Sequence, residues 1–470
     1  MAHELDVSAL RAGQTPSRRA LVGMVLALSV PAILSELTTT LMQYIDAGMV
    51  GSLGARATAA IGLVESTVWL FDGCCMCVAA GFTVQVAQLV GAGKDKDARL
   101  VLRQSIVSLS AFSAALALLG MLVSGYLPQL LGGSPEVYED ASRYVFVCSI
   151  ALVPVTLARL GTGMLQCSGD MRTPSLLNVL SCVLDVCFNA VLIRRDASIA
   201  IGGMVLHLPG LGLGVTGAAL GTLMAQAVVA ALLLWRTCAH SRHLALCDHG
   251  SWRPRRHTIQ AAWVVSGPML LERTVMSGAY IAGTVIVAPL GTVAVAANSL
   301  AVTAEAVCYM PCLGVSVAAT TLVGQCVGAG RKDLAKTFAR LATLMGAVLM
   351  AFTGVLMFVF APQIMGMLTP SDEVRDLGAA VLRIESFAEP LFGVSIVAAG
   401  ALRGAADTLV PSLIAVGSMW GVRITLASML APIYGLRGVW AAMAGELCVR
   451  GTLFLVRLLR GRWLSRAQLA

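Results

Sequence analysis

Long apolar stretches, broken by short clusters of charge, glycine and proline, recur along the whole chain. They fall at about 21–50, 57–90, 100–124, 139–163, 172–193, 211–235, 258–288, 292–327, 337–361, 375–402, 409–431 and 437–459. Each is long enough to cross a bilayer as a helix, for which about 20 residues suffice. The alternating segments of roughly ten residues that mark a membrane barrel are not seen. The pattern predicts an all-α membrane protein with twelve transmembrane helices. Runs two and eight exceed one bilayer thickness and are expected to tilt or to extend into the cytoplasm.

Composition sharpens this picture. Of 470 residues, 57% are hydrophobic and only 12% charged, and mean hydropathy is +0.83. Soluble domains carry about 25% charged residues, so a soluble fold of this size could not hide so much apolar surface. The opening stretch MAHELDVSALRAGQTPSRRA lacks the short apolar core and small-residue cleavage site of a signal peptide. Insertion is therefore expected to rely on the first run itself.

The net charge of +8 lies in clusters between the runs, which is a topology signal and not a nucleic-acid footprint. Arg11, Arg18 and Arg19 precede run one, and Lys94, Lys96, Arg99 and Arg103 follow run two. Arg236, Arg242, Arg253, Arg255 and Arg256 follow run six; Arg331, Lys332, Lys336 and Arg340 follow run eight; Arg457, Arg460, Arg462 and Arg466 end the chain. The positive-inside rule then places both termini and every even loop in the cytoplasm. An inner (plasma) membrane, multi-pass location follows. Most of the thirteen cysteines lie inside apolar runs. Cys308 and Cys312, one helical turn apart, could share a ligand, but small apolar packing is the expected role. Paired CxxC motifs are missing, so neither a zinc site nor a disulfide framework is indicated.

Shifting the sequence by 237 residues superposes many landmarks. Pro31 falls on Pro268, Leu53-Gly54 on Leu290-Gly291, and Gln88-Leu-Val-Gly-Ala-Gly93 on Gln325-Cys-Val-Gly-Ala-Gly330. Glu136-Val137 falls on Glu373-Val374, Asp170 on Asp407, and Pro174-Ser-Leu on Pro411-Ser-Leu. Six spans per half is an even number, so the halves insert in the same orientation, as a parallel repeat. The expected organisation is a cytoplasmic tail over 1–20, an N-lobe over 21–235, a linker over 236–257, a C-lobe over 258–459 and a second cytoplasmic tail over 460–470. Two related bundles about a central cleft suit alternating access.

Charges within the runs are the candidate chemistry. A charged side chain in hydrocarbon is costly, so it usually faces an interior cavity and has a task. Run one, broken by Pro31, carries Glu36 and Asp46; run five carries Asp185 and Asn189 one turn apart. Burial favours the protonated form of a carboxyl, and a proton-coupled carrier needs a group that loads on one side and unloads on the other. Gln43, Tyr44 and Asn189 could donate hydrogen bonds or, with Asp46 and Asp185, supply oxygen to sodium. The competing roles are a headgroup-layer position for Asp46, near Gly48 and Gly51, and structural hydrogen bonding for both acids. On run two, Glu65, Trp69 and Asp72 share a face, and on run eight Glu305 and Tyr309 are one turn apart. Acidic and aromatic groups on one stripe suit an organic cation; a polar clasp between packed helices is the alternative. Arg159, Arg273, Arg383 and Arg423 are expected in salt bridges or clasps. The Gly-Ala-Gly turns at 91–93 and 328–330 lack the context of a phosphate loop and read as tight reversals. Asp170 and Asp407 are expected to cap the fifth and eleventh helices, since Asp is favoured at N-caps.

Several of these stretches together resemble the multidrug and toxic compound extrusion (MATE) family. They are Pro31…Tyr44-Ile-Asp46-Ala-Gly-Met-Val-Gly51-Ser-Leu-Gly54, Ala59-Ala60-Ile-Gly-Leu, Gln88…Gly91-Ala-Gly93, Gly169-Asp170-Met-Arg-Thr-Pro174 and Gly400-Ala-Leu-Arg403-Gly404-Ala-Ala-Asp407. The resemblance covers nearly the whole chain. It implies two six-helix lobes around a V-shaped cleft, and export of organic, often cationic, compounds in exchange for inward protons or sodium ions. It maps the coupling carboxylate of the first helix onto Asp46, and the fifth-helix Asn-x-x-x-Asp pair onto Asp185-Val-Cys-Phe-Asn189, with the two residue types exchanged. The C-lobe carboxylates of one branch fall on Met276 and Phe392, with Glu272 and Glu389 each about one turn earlier and available as substrate contacts.

The expectation is a secondary antiporter for cationic or amphipathic drugs, a monomer in the bilayer, with no enzymatic activity and no cofactor beyond transported H+ or Na+. Protons are favoured because the carboxylates cluster in the N-lobe. The alternative is a flippase or exporter of an anionic lipid-linked substrate. An enzyme would need metal- or diphosphate-binding clusters, and a channel would need a filter segment.

Overall fold

Hydrocarbon offers no water to a peptide group, so an apolar run must satisfy its backbone internally, as a helix does. The computed structural model, which describes residues 17–193, 196–201, 204–247 and 250–465, follows this rule in every run. The helices are α1 (Arg18–Gly51), α2 (Ala55–Ala92), α3 (Asp95–Val123), α4 (Tyr138–Cys167), α5 (Arg172–Ile193) and α6 (Gly214–His240). The second series is α7 (Arg256–Val287), α8 (Thr292–Gly328), α9 (Lys332–Leu368), α10 (Asp372–Ser386 and Glu389–Gly404), α11 (Leu409–Tyr434) and α12 (Leu436–Arg460). Helices α2 and α8 are 38 and 37 residues long, the excess expected of runs two and eight. The start of the N-terminal tail with Arg11, and the end of the C-terminal tail with Arg466, lie outside the described residues.

Three local departures matter. Among the described residues, eleven helices are long and apolar enough to cross a membrane; the tenth run is instead two pieces of 15 and 16 residues. Pro390 opens the second piece, and without an N–H it cannot donate back to the Ser386 carbonyl. The eleventh span is also irregular, since Met419–Ile424 form a π-helical turn that carries Arg423. Such turns cluster at functional sites. Finally, a two-stranded antiparallel hairpin, β1 (Asp196–Ile201) and β2 (Met204–Pro209), joins α5 to α6. It is a minor addition to an all-helical span architecture.

The chain divides into two compact units. One comprises the described residues of Thr38–Val86 and Asp95–Trp263; the other comprises those up to Leu37, Ala87–Lys94 and those from Val264 onward. In the second unit the repeated Gly-Ala-Gly turns reveal two separate jobs. Gly93 and Gly330 have φ of +76° and +74°, and Lys94 N–H and Arg331 N–H reach back to the Leu89 and Cys326 carbonyls at 3.0 and 2.9 Å. Those are left-handed helix terminations, which glycine adopts without steric cost. Gly91 and Gly328 serve packing instead: a Cβ on Gly91 would strike the Gln325 carbonyl, and one on Gly328 would strike the Gln88 carbonyl. The ends of α2 and α8 thus meet reciprocally, each glycine against the other helix's backbone.

Candidate functional site

In the first unit, α5 presents Asp185 and Asn189 one turn apart, and α1 brings Asp46 against them. Asn189 spends both amide hydrogens here, donating from Nδ2 to Asp46 Oδ1 at 3.0 Å and to Asp185 Oδ2 at 2.9 Å. Asp185 is 0% and Asn189 1% exposed. Room for the amide comes from α6, where a Cβ on Gly221 would collide with Asn189 Oδ1. No basic side chain acts on either carboxyl among the described residues. Asp46 and Asp185 also lie within hydrogen-bonding reach of each other. Two carboxyl groups in such contact cannot both be charged cheaply; a proton between them makes one the donor. Asp185 Oδ1 and Asn189 Oδ1 receive no N–H or O–H bond. The arrangement can therefore hold a proton, or offer several oxygens to a small cation.

Gln43 and Tyr44 are exposed on α1, and Glu65 and Trp69 are exposed on α2. Asp72, on the same stripe, is already engaged: Arg159 on α4 donates to it from both Nε and Nη2, at 3.0 and 2.7 Å. The stripe therefore presents Glu65 and Trp69, with Asp72 paired. Arg159 takes the salt-bridge role expected of it, whereas Arg383 donates to the Phe358 carbonyl at 3.2 Å and lies over that ring.

The acids of the second unit are not arranged as a stripe. Glu272 on α7 accepts from Ser412 Oγ at 2.6 Å and lines a cavity of about 40 Å³ with Arg403 and Asp407. Glu389 on α10 faces Glu305 on α8 instead, so the structure does not bring Glu272 and Glu389 together. Glu305, Glu385 and Glu389 are 8%, 0% and 0% exposed. Tyr309 meets Phe392 edge-on, with ring centroids 5.7 Å apart. Beside this cluster Arg450 on α12 is paired to the buried Glu446 at 3.1 Å, and Ser418 donates to the same carboxylate at 2.7 Å.

Glu385, Glu446 and Arg450 were not among the candidates from sequence. The signal available was spacing: Glu385–Glu389 and Glu446–Arg450 are both i,i+4 pairs inside apolar runs, and residues four apart share a helix face. The expected caps divide. Asp170 does cap α5, accepting from Thr173 N–H at 3.0 Å and from its hydroxyl at 2.6 Å. Asp407 does not cap α11; Arg457 holds it from Nε and Nη2 at 3.0 and 2.8 Å. The α12 arginine offers a charged fork where the helix start offers only neutral N–H groups.

The sequence profile of the MatE family matches residues 31–191 and 268–429, most of both halves. The chain belongs to that family and is a membrane transporter of the MATE type, not an enzyme. It is 24% identical over 447 residues to a "Probable multidrug resistance protein NorM" of Thermotoga maritima, covering 94% of this chain and 93% of that one. A protein of the same name from Pseudomonas aeruginosa is 28% identical over 437 residues, with 90% and 86% covered. Among solved structures, a MOP superfamily transporter from Pyrococcus furiosus superposes with a TM-score of 0.87 at 19% identity, covering 98% and 99% of the two chains. The Vibrio cholerae MATE transporter VcmN in its bent form gives 0.85 at 19%, with 95% and 98% covered. At these identities the structural matches speak to the fold alone.

Proposed function

We propose that the protein is a proton-driven multidrug exporter of the cytoplasmic (inner) membrane. It acts as a monomer with both termini inside, and expels cationic or amphipathic drugs by alternating access. The observation that carries this reading is the pairing of Asp46 with Asp185 through Asn189, inside the first unit and, among the described residues, without a basic partner. A carboxyl pair of this kind gains most from one proton, which fits it geometrically; a sodium ion would need the amide to turn its oxygen inward. Proton release would leave two adjacent charges with only an amide between them, a state the site tolerates poorly unless it rearranges. That provides a physical link between ion loading and conformation.

For the drug, exposed Glu65 and Trp69 on α2 offer a charge and an aromatic face, which suits a hydrophobic cation. The relatives' names support the substrate class. The test uses everted vesicles that accumulate a fluorescent cationic drug. Collapse of the proton gradient alone is expected to stop accumulation, and collapse of the sodium gradient alone to leave it intact. The opposite result would replace the proton with sodium in this reading.

A further inference from the structure

The internal repeat treats one surface differently in its two halves. Lys332, Lys336 and Arg340 on α9 fall 237 residues after Asp95, Arg99 and Arg103 on α3. In the first unit those α3 positions are covered by the chain itself. His243 of the linker brings Nδ1 to 3.2 Å from Asp95 Oδ1, and its carbonyl accepts from Arg99 Nε at 3.3 Å. Arg103 is buried, and Gly250 packs so closely on its guanidinium that a Cβ there would strike Nη1. Among the described residues no segment does this for α9, where Lys332, Lys336 and Arg340 are all exposed.

The end of α12 adds to this α9 surface. The helix stops at Gly461, whose φ of +67° is the left-handed termination that glycine adopts freely. The next turn is pinned by Trp463, which is buried and donates from Nε1 to the Leu458 carbonyl at 3.0 Å. Arg460 and Arg462 flank Gly461 and are exposed. Lys336 lies against that glycine, its Cε and Nζ in contact with the place a Cβ would take, and Lys332 and Arg340 stand about one turn to either side of it. Five cations are thus gathered from two helix ends. The acid in the first turn of α9, Asp333, is held by Arg331 at 3.0 Å, so the surface stays positive.

The same face of α9 continues as hydrocarbon. One, two and three turns beyond Arg340 come Leu344, Val348 and Phe352, each more than half exposed. At 1.5 Å per residue, Leu344 lies about 6 Å along the axis from Arg340. A fitting partner carries negative charge at one end and an apolar body directly beneath it. A soluble anion would leave the apolar face bare, and a neutral lipid would leave the cations uncompensated.

We propose that this face binds an anionic phospholipid, whose phosphate bridges Lys336 and Arg340 of α9 to Arg460 of α12 while an acyl chain lies along Leu344, Val348 and Phe352. Arginine suits the task because its planar fork donates two parallel hydrogen bonds to phosphate. The lipid supplies in the second half the partner that the linker supplies in the first, and it ties the start of α9 to the end of α12. In the topology proposed above, the site opens onto the cytoplasmic leaflet, whose anionic headgroups attract basic clusters.

The test counts lipids on the intact protein by native mass spectrometry, with phosphatidylglycerol and phosphatidylcholine offered in equal amounts. The parent is expected to prefer phosphatidylglycerol. Lys336→Gln, Arg340→Gln and Arg460→Gln combined are expected to lower that preference at least about tenfold, since each basic group near a headgroup is worth roughly fivefold. Arg253→Gln, Arg255→Gln and Arg256→Gln combined remove the same charge from exposed linker positions and are expected to keep the preference. If the first triple variant does not fold, Lys336→Gln alone reads the same site, with an expected loss of about fivefold. A parent without preference, a preference unchanged by removing the α9 and α12 cations, or equal losses in the two triple variants would overturn the proposal. Displacement of the lipid by inorganic phosphate at matched ionic strength would overturn it too, because the site would then recognise phosphate without its hydrocarbon. Drug efflux is not read, so the outcome is independent of the Asp46–Asp185 reading, and lipid counting does not depend on which leaflet the site faces.

Discussion

Asp46 and Asn189 are joined by a hydrogen bond of 3.0 Å between α1 and α5, and the same amide nitrogen holds Asp185 at 2.9 Å. One neutral side chain thus keeps two acids together in the interior of the first unit. Its repeat counterpart is missing, since the positions 237 residues on from Asp46 and Asp185 are Gly283 and Val422. An element needed only to hold a six-helix bundle together would tend to occur in both halves. The pair is better explained by work that the first half alone performs.

Asn189→Ala is expected to abolish drug efflux while the protein still inserts. It removes both amide bonds and leaves the two carboxyls facing each other, at a cost of about 1–3 kcal/mol for groups left unsatisfied. Thermal unfolding in detergent should show that loss at neutral pH and a smaller one in acid, where both carboxyls are protonated and the amide no longer donates to a charged oxygen. An equal loss at both pH values would mean that the amide is purely structural.

The reciprocal glycines at the ends of α2 and α8 lead to a packing prediction. Gly328→Ala places a methyl group against the Gln88 carbonyl, and overpacking of this kind costs about 1–3 kcal/mol. Gly62→Ala, where a Cβ meets nothing within 4 Å, is expected to be neutral or slightly stabilising, since Ala is favoured over Gly in a helix. Melting temperatures of the two variants beside the parent decide the matter, and equal values would contradict the contact.

Ala406 has a φ of +62° and alone among the described non-glycine residues lies in the left-handed region. Its repeat counterpart is Gly169, with φ of +98°. The conformation costs a residue with a Cβ about 1–2 kcal/mol, partly offset by the lower chain entropy of Ala when unfolded. Ala406→Gly should therefore raise thermal stability by a net of up to about 1 kcal/mol. Gly169→Ala should lower it. A reversed order would contradict the backbone assignment of this turn.

The bidentate ion pair between Asp72 and Arg159 separates a clasp from a drug contact. If Asp72 serves α2–α4 packing, Asp72→Asn lowers stability modestly, by about 1 kcal/mol or less for a pair this exposed, and leaves drug selectivity unchanged. Glu65→Gln is expected to weaken efflux of monovalent cationic drugs several-fold and to spare neutral ones. Efflux assays on matched cationic and neutral compounds check both statements.

Hydropathy read along the chain located all twelve runs because the bilayer imposes one dominant constraint, an apolar length. Helix ends were equally visible where local chemistry decides them, as with Gly93, Gly330 and the Asp170 cap. The candidate site was legible as far as a single helix shows it. Asp185 and Asn189 share a face because they are four residues apart, and Asp46 stood out as a charge in hydrocarbon. What could not be read was convergence between helices. Glu305 and Glu389 come from α8 and α10, and no periodicity within one run announces that they face each other. Asp407 misled for the same reason: its local position suggests a cap, while its actual partner, Arg457, is a full helix away. The interruption of α10 had a local cause in Pro390, yet the surrounding apolar residues masked it.

The most direct test of the account is proton movement coupled to the drug. Proteoliposomes containing a pH-reporting dye and a cationic drug are diluted into drug-free buffer, so that drug leaves the lumen down its own gradient. For the parent protein, exit of drug should draw protons in and acidify the lumen. Asp46→Asn, which keeps the shape but not the titrating group, should abolish that acidification while its folded yield stays the same. Acidification of the Asp46→Asn lumen at the parent's rate would contradict the central claim.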